Sequence, residues 1–381
     1  MKTVAVDAMG GDYAPGAIVE GAVAAVRDLR IPIVLVGPRD RIVSELAKHG
    51  AETLGIGIRQ ASEVVGMDES PVTVLRRKKD SSIAVATELV RTGECCAFVS
   101  AGNSGAVMAA AVTRLGNLVS IERPAIALDI PSARTPVTLL DAGANVECTP
   151  LNLVQFAIMG DIFARSVRGL VSPRVGLISN GEERSKGTEI TRSADQALRH
   201  MPLNYVGYIE GRDLSAGNVD VAVTDGFTGN VILKTMEGFA GFMQVLLRRV
   251  FDRNLRTRLA YLLLRRELEK VRHTLDYDAV GGAPLLGVNG VTIIAHGSSS
   301  AWAIRNAIRV AADVAAKDLN AQISGLLASM PEVAELERGL KRRGFWQQIA
   351  GRFRSRDGRG ERSEAGTEDE AETPEPQTPK E

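Results

Sequence analysis

Glycine, serine, threonine, asparagine and aspartate gather in five short clusters along the chain, and these hold the residues best suited to chemistry. They are residues 7–12, 100–105, 180–188, 225–230 and 296–300. The first contains Gly10, Gly11 and Asp12, the second Asn103, Ser104 and Gly105, and the third Lys186, Gly187 and Thr188. The fourth contains Asp225, Thr228, Gly229 and Asn230, and the fifth His296 and Ser298. Glycine permits close backbone approach, and Ser, Thr and Asn side chains donate hydrogen bonds. A helix that follows aims unpaired N–H groups and its positive dipole end at the same space. Loops of this kind suit an anion, and convergence of several on one phosphate-sized ligand is their natural use. The plainer alternative is that each is a strand-to-helix turn carrying an N-cap residue.

Other chemistries find less support. No Gly-x-x-x-x-Gly-Lys-Ser/Thr loop occurs, and Gly-x-Gly-x-x-Gly is missing after the first apolar run, so nucleotide use is not indicated. His49, His200, His273 and His296 are scattered, which argues against a metal centre. Residues 298–300 lack the Gly-x-Ser-x-Gly elbow of a hydrolase and read as a helix cap. Cys95, Cys96 and Cys148 have no C-x-x-C spacing, and the apolar flank of the adjacent pair reads as structural. No cofactor is called for.

The elements that must position these clusters show in the apolar pattern. Short runs rich in Val and Ile precede each cluster and segments of helical period follow, which is the punctuation of an α/β fold. Strands are expected over residues 3–8, 33–36, 55–59, 97–100, 125–130, 138–141, 174–179, 204–209, 219–224 and 290–295. Several are apolar on both faces, as in sheets covered by helices. Helices are expected over 17–30, 41–49, 83–92, 105–115, 150–168, 189–199, 230–251 and 299–319. In open α/β sheets ligands bind outside the carboxyl ends of the strands, where all five clusters fall.

Composition bounds the rest. With 381 residues, 45% of them hydrophobic, the chain buries enough surface to need neither disulfides nor a structural metal. Its 46 basic residues balance 46 acidic ones, which argues against a dedicated nucleic-acid partner. The free thiols fit a reducing cytoplasm, the first apolar run is too short for a signal peptide, and no stretch reaches the roughly 18 apolar residues of a membrane span.

Residues 239–272 break the strand–helix rhythm: Leu255, Leu259, Leu262 and Leu263 lie there among Arg256, Arg258, Arg265 and Arg266. Two readings stand open. One is a helical pair packed on the body or on a second copy. The other is a protrusion whose apolar tip enters the interface of an anionic bilayer while arginines meet phosphates. The body is expected over residues 1–330, followed by a basic amphipathic segment over 331–356, either docked or touching a membrane, and an acidic, disordered tail over 357–381.

Several motifs, taken in order, resemble the PlsX family of phosphate acyltransferases of bacterial phospholipid synthesis. They are Val6-Asp7-Ala8-Met9-Gly10-Gly11-Asp12-Tyr13-Ala14-Pro15, Arg77-Lys78-Lys79-Asp80-Ser81-Ser82, Ser100-Ala101-Gly102-Asn103-Ser104-Gly105-Ala106, and Gly187-Thr188 after Lys186. Thr224-Asp225-Gly226-Phe227-Thr228-Gly229-Asn230 and His296-Gly297-Ser298-Ser299 complete the set, and the likeness runs from about residue 2 to 327. Ser104 stands where that family more often has Thr, which keeps the hydroxyl.

The resemblance implies transfer of a fatty acyl group from acyl carrier protein to inorganic phosphate, releasing acyl phosphate for a membrane glycerol-phosphate acyltransferase. It implies a homodimer, and a three-layer αβα body with an open, largely parallel mixed sheet of the isopropylmalate dehydrogenase and phosphotransacetylase type. Lys186 then compensates phosphate charge, and Asn230 donates to phosphate or to the carbonyl oxygen. Taken alone, Lys186 also reads as an exposed loop lysine and Asn230 as a helix cap. His296 is either a general acid/base or a loop-packing residue, and Asp7, Asp12 and Asp225 orient donors or hold loops together. Phosphate is itself a nucleophile, so direct transfer without an acyl-enzyme is expected. An acidic carrier calls for a basic surface, offered by Arg76-Arg77-Lys78-Lys79 or by the helical arginines. Two other functions stand beside this one: a phosphate acetyl- or butyryltransferase using coenzyme A thioesters, and a non-catalytic membrane adaptor.

Overall fold

Branched residues fill the runs expected as strands because they pack well on a pleated surface, and in the computed structural model these runs assemble into two sheets. The structure describes residues 3–71, 76–275, 281–330 and 333. The strands are β1 (Val4–Asp7), β2 (Ile33–Gly37), β3 (Gly57–Gln60), β4 (Ala97–Ser100), β5 (Ala125–Ile126), β6 (Leu128–Ile130), β7 (Val137–Leu140), β8 (Val175–Ile178), β9 (Tyr205–Ile209), β10 (Val221–Val223), β11 (Ala283–Leu286) and β12 (Val291–Ile294). The larger sheet has the order β3-β2-β1-β4-β12-β11-β5 and the smaller β6-β7-β10-β8-β9. Pairing is parallel throughout except where β11 and β6 run against their neighbours.

The helices are α1 (Gly16–Ala24), α2 (Arg39–Lys48), α3 (Ser82–Arg91), α4 (Ser104–Ala110), α5 (Pro150–Arg168), α6 (Glu189–Leu198), α7 (Gly211–Ala216), α8 (Gly226–Asp252), α9 (Leu255–Leu275), α10 (Ala301–Ala316) and α11 (Leu319–Ala328). Successive strand residues face opposite ways, so β1 serves two cores. Val4 and Val6 join Ile18 and Val19 of α1 and Ile304 and Ile308 of α10. Ala5 joins Phe98 of β4, Ile83 of α3 and Val107 of α4. In the smaller sheet α5 covers one face. On the other, Ile130, Leu139 and Ala222 pack with Leu214 of α7 and with Ile232 and Met236 of α8. Helices therefore cover both faces of both sheets, an α/β fold.

The strand expected over 125–130 divides at Ala127, whose N–H bonds to Pro284 O at 3.0 Å, so β5 joins one sheet and β6 the other. Strand β11 was not expected, because Pro284 inside a four-residue run argues against a strand. The helix expected over 299–319 is shorter: Ser300 caps it at Ala303 N (3.3 Å), and Asp318, at φ 48°, separates it from α11. Helix α7, six residues long, is too brief for its period to show.

Helices α8 and α9 form the protrusion. At 27 residues α8 is about 40 Å long. At the turn Asn254 Oδ1 accepts from Thr257 N at 3.0 Å, and the rings of Phe251 and Tyr261 meet with centroids 5.4 Å apart. Leu255 is 82% and Leu263 79% exposed, and Leu259 and Leu262 share that exposure, so this apolar surface is not buried within the chain. Among the described residues no helix is long and apolar enough to cross a membrane. The tail 357–381, and the basic segment 331–356 except for Val333, lie outside the described residues.

Candidate active site

Parallel order places β1, β4 and β12 side by side, so the loops at 7–12, 100–105 and 296–300 leave one edge of the larger sheet together. Asp7 ends β1 and is 1% exposed. Its carboxylate accepts from Met9 N at 3.0 Å and from Ser100 Oγ at 2.7 Å, and Ser100 Oγ accepts from Gly102 N at 3.0 Å. Burial pushes the Asp7 pKa up, against hydrogen bonds from Ser82, Ser100, Met9 and Gly10 that favour the ionised form. A Cβ on Gly10 would stand 2.6 Å from both Asp7 Oδ2 and Gly102 N, so only glycine lets these loops meet. Asp12 N donates to Gly297 O at 2.8 Å and ties in the third loop. Within that loop His296 Nδ1 accepts from Ser298 N at 3.2 Å and lies 2.8 Å from Ser298 Oγ.

Asn103 is the N-cap of α4, where its Oδ1 accepts from Ala106 N at 3.0 Å. Its Nδ2 donates to Met67 O at 2.7 Å and to Glu69 O at 3.1 Å, so the whole amide is engaged within the protein. Ser104 and Gly105 open α4 and leave backbone N–H groups at its start.

The smaller sheet repeats the device. β7, β10 and β8 are adjacent, and their carboxyl ends carry residues 141–145, 225–230 and 180–188. Asp141, fully buried, was not singled out in the sequence. Its Oδ1 accepts from Ile126 N, Gly143 N and Ala144 N at 3.0–3.2 Å, and its Oδ2 from Asn145 N at 2.7 Å and Nδ2 at 2.9 Å. Burial raises its pKa as it does that of Asp7. The available signal was an Asp-Ala pair directly after an apolar run, shared by Asp7-Ala8 and Asp141-Ala142.

Asp225 caps α8: Oδ1 accepts from Thr228 N at 2.8 Å and Oδ2 from Thr228 Oγ1 at 2.9 Å. Gly226 N donates to Asn145 O at 2.7 Å, and a Cβ on Gly229 would overlap Asp141 O. The helix thus starts four residues before Asn230, and the reading of Asn230 as its cap is corrected. Asn230 stands in the second turn over Gly143, exposed, with no hydrogen-bond partner for its amide among the described residues.

Lys186 is also exposed, its ammonium without an ion pair among the described residues. Its loop is fixed by Lys186 N to Glu183 O (2.9 Å), by Gly187 N to Asn180 Oδ1 (2.9 Å), and by Thr188, which caps α6 at Thr191 N (3.2 Å).

Helix α8 of the smaller sheet meets the 296–300 loop of the larger. Lys234 Nζ lies 3.5 Å from His296 Nε2 and 2.8 Å from Glu237 Oε2. Lys234 follows Asn230 by four residues, so both lie on one face of α8. Sequence reasoning missed Lys234, since its i+4 relation to Asn230 shows only once the helix is known to begin at Gly226. Lys186 belongs to the same sheet edge as Asn230 but makes no direct contact with His296 or Lys234. Two of the thiols are poorly ionised: burial pushes Cys95 to about 11 and Cys148 to about 12.

From this edge a groove of about 710 Å³ leads away along α8, lined by Val231, Ile232, Met236, Phe239, Ala240 and Met243 and, opposite, by residues 131–133 at the amino end of β7. Its α8 wall starts at Val231, next to Asn230.

Comparison with known proteins gives a consistent answer. The family described as fatty acid synthesis protein matches residues 2–322. A phosphate acyltransferase of Geotalea daltonii is 51% identical over 317 residues, covering 83% of this chain and 92% of the relative. One from an Anaeromyxobacter species is 52% identical over 335 residues, covering 88% and 92%. Among solved structures, a phosphotransacetylase from Streptococcus pyogenes superposes with TM-score 0.56 at 14% identity, covering 83% of this chain and 94% of that one. A branched-chain phosphotransacylase from Enterococcus faecalis gives TM-score 0.52 at 14% identity, covering 83% and 99%. The structural likeness shows the fold; the sequence likeness shows more, and the chain belongs to the fatty acid synthesis protein family as a phosphate acyltransferase of the PlsX type.

Proposed function

We propose that this phosphate acyltransferase takes a fatty acyl group from the thioester of acyl carrier protein, passes it to inorganic phosphate, and releases acyl phosphate for phospholipid synthesis. The observation that carries the long acyl chain is the apolar groove along α8, whose wall starts beside Asn230. From Val231 to Met243 the helix advances about 18 Å, room for an extended long-chain acyl group and far more than an acetyl group needs.

In this reading a phosphate oxygen attacks the thioester carbonyl, a C–O bond forms, and charge gathers on the carbonyl oxygen. Lys186 and Lys234 offset phosphate charge, and the Asn230 amide donates to the developing oxyanion. The C–S bond then breaks. The proton released by the phosphate hydroxyl is taken up by the departing thiolate, while the His296 Nε2–H donates a hydrogen bond to the sulfur as its charge grows, so protons balance without a protein nucleophile. Gly10, Gly11, Asp12, Ser104, Gly105, Gly187, Thr188, Thr228 and Ser298 shape the loops that hold the two substrates. The exposed leucines of α9 support a peripheral contact with an anionic membrane, where a glycerol-phosphate acyltransferase would receive the product. A homodimer belongs to the same reading.

The test follows thiol release with and without phosphate, using acyl carrier protein loaded with chains of increasing length and, separately, acetyl- and butyryl-coenzyme A. Phosphate-dependent release from long-chain carrier is expected, and Ala240→Trp should shift the preference to shorter chains. Turnover confined to acetyl- or butyryl-coenzyme A would replace this reading by the short-chain one.

A further inference from the structure

A second concavity, of about 800 Å³, lies away from the acyl groove, between α4 and the connection over residues 117–124 that leads into β5. One wall is Met108 and Ala109 of α4 with Val112 of the π-helical turn (Ala111–Leu115) that continues it. Met108 and Ala109 follow Ser104 and Gly105 by four residues, so this wall begins one helical turn from the loop at the edge of the larger sheet. The cleft also reaches Asn145, whose carbonyl accepts the N–H of Gly226 at the start of α8. It therefore reaches a site loop of the smaller sheet at Asn145 and starts one helical turn from a site loop of the larger.

Its rim is cationic. Arg76, Arg114 and Arg123 line it. Arg76 and Arg123 are exposed and form no ion pair among the described residues, while Arg114 meets Glu88 only at 3.8 Å. Glu122, the acidic residue of the lining, accepts a hydrogen bond from Asn152 Nδ2 at 3.1 Å. Arg77 and Lys79 continue the positive surface outside the cleft, whereas Lys78 is spent on Glu69 and Val64 O. Among the described residues a second basic surface starts at Arg248 and Arg249 near the end of α8 and continues on α9, about 30 Å of helix past Gly226.

We propose that this cleft admits the phosphodiester-linked thioester arm of an acidic carrier protein, with the arm's aliphatic part against α4 and the carrier seated on Arg76, Arg77, Lys79 and Arg123. The assignment rests on the acyl-carrier reading above and places the donor's path on the opposite side of Asn230 from the acyl groove. Apolar walls suit the arm's methylene and methyl groups, arginines suit the phosphodiester, and unpaired cations steer an acidic partner. The surface near the site thus takes the carrier, and the α9 arginines do not.

The experiment pairs direct binding with turnover, using wild type and the double variant Arg76→Glu with Arg123→Glu, both checked for an unchanged melting temperature. Anisotropy of labelled carrier bearing its arm but no acyl group gives Kd. Phosphate-dependent turnover is compared for acyl carrier and for an acyl-pantetheine lacking phosphate and carrier. The double variant should weaken carrier binding at least tenfold, and its ratio of kcat/KM for carrier over acyl-pantetheine should fall by as much. Wild-type binding should weaken with added salt and the variant's much less. An unchanged Kd in the variant, or the same tenfold loss from an α9 variant such as Arg256→Glu with Arg258→Glu, overturns the cleft assignment. Carrier that binds wild type tightly and is lost in the variant, with no phosphate-dependent turnover in either, leaves the docking surface standing and overturns the acyl-transfer reading instead.

Discussion

His296 Nε2 and Lys234 Nζ stand 3.5 Å apart across the gap between the two sheets' loops, and both present protons to it. The backbone N–H of Ser298 donates to Nδ1, so the hydrogen-bond pattern puts the proton of a neutral imidazole on Nε2. Two donors face each other there, and Lys234 also holds Glu237 Oε2 at 2.8 Å, so an anion that enters the gap meets both donors and competes with that one carboxylate. Lys234 is joined there by the free amide of Asn230 one turn earlier, and the other carboxylates nearby are otherwise occupied: Asp225 in its cap, Asp7 and Asp141 with backbone N–H groups.

Lys234→Ala should therefore raise the KM for phosphate at least about tenfold, with partial recovery in Lys234→Arg, because the charge and not the side-chain shape meets the anion. Its ion pair with Glu237 is half-exposed, and such pairs contribute only up to about 1 kcal/mol, so the melting temperature should barely move. Phosphate titrations of initial rate decide it; an unchanged KM removes Lys234 from the site.

Lys186→Ala and Asn230→Ala should each lower turnover at least about tenfold, since each removes a donor used as charge redistributes. The structure separates this loss from stability. Because Asp225 and not Asn230 caps α8, Asn230→Ala should leave thermal unfolding nearly unchanged, whereas Asp225→Ala should cost about 1 kcal/mol. Thermal melts beside the kinetic assay check both halves, and full activity in both donor variants would refute the assignment.

Much of this geometry was legible in the sequence, for identifiable reasons. Runs such as Val4–Asp7 and Ala97–Ser100 end in Gly, Asp, Ser or Asn clusters, so their strand-to-helix turns announce themselves, and Asn103, Thr188 and Ser300 all prove to be N-caps. Where the reading failed, a tertiary demand overrode a local preference. Gly226 and Gly229 disfavour helix, yet close approach to Asn145 and Asp141 requires glycine at both, so α8 begins before the periodic apolar pattern does. Pro284 hid β11, which is held between β12 and β5 by pairing no local signal reveals. The passage from one sheet to the other at Ala127 leaves no mark, because one continuous apolar run serves both.

Acid titration gives a prediction with a definite sign. Burial raises the Asp7 pKa above its ordinary 3.8, so the folded protein holds this proton at a pH where the unfolded chain has released it. Stability from this group is therefore greatest below 3.8, falls as pH rises toward the folded value, and is level above it. Asp7→Asn, a neutral side chain of the same shape, lacks that dependence. Urea unfolding of both proteins across this range should show wild type losing ground to the variant as pH rises; the opposite trend would mean that hydrogen bonds from Ser100 and Met9 outweigh desolvation.

The last prediction concerns the tip of the protrusion. Leu259 and Leu263 are four residues apart on one face of α9, 60% and 79% exposed, with Leu255 and Leu262 beside them. Arg258 and Arg266 lie close by in the chain, so an apolar strip flanked by cations faces solvent, the pattern of a helix lying in the interface of an anionic bilayer. Leu259→Glu with Leu263→Glu puts two charges into that strip without touching the body of the protein. Cosedimentation with vesicles containing anionic lipid should be abolished, while acyl phosphate formation from soluble substrates continues at the wild-type rate. Because α9 packs on α8 and both leucines face solvent, a fall in turnover is not expected from the substitutions themselves. If the double variant still cosediments like wild type, the leucine strip does not bind lipid. If it loses an oligomeric state that wild type holds in light scattering, the strip is instead the surface on which a second copy packs.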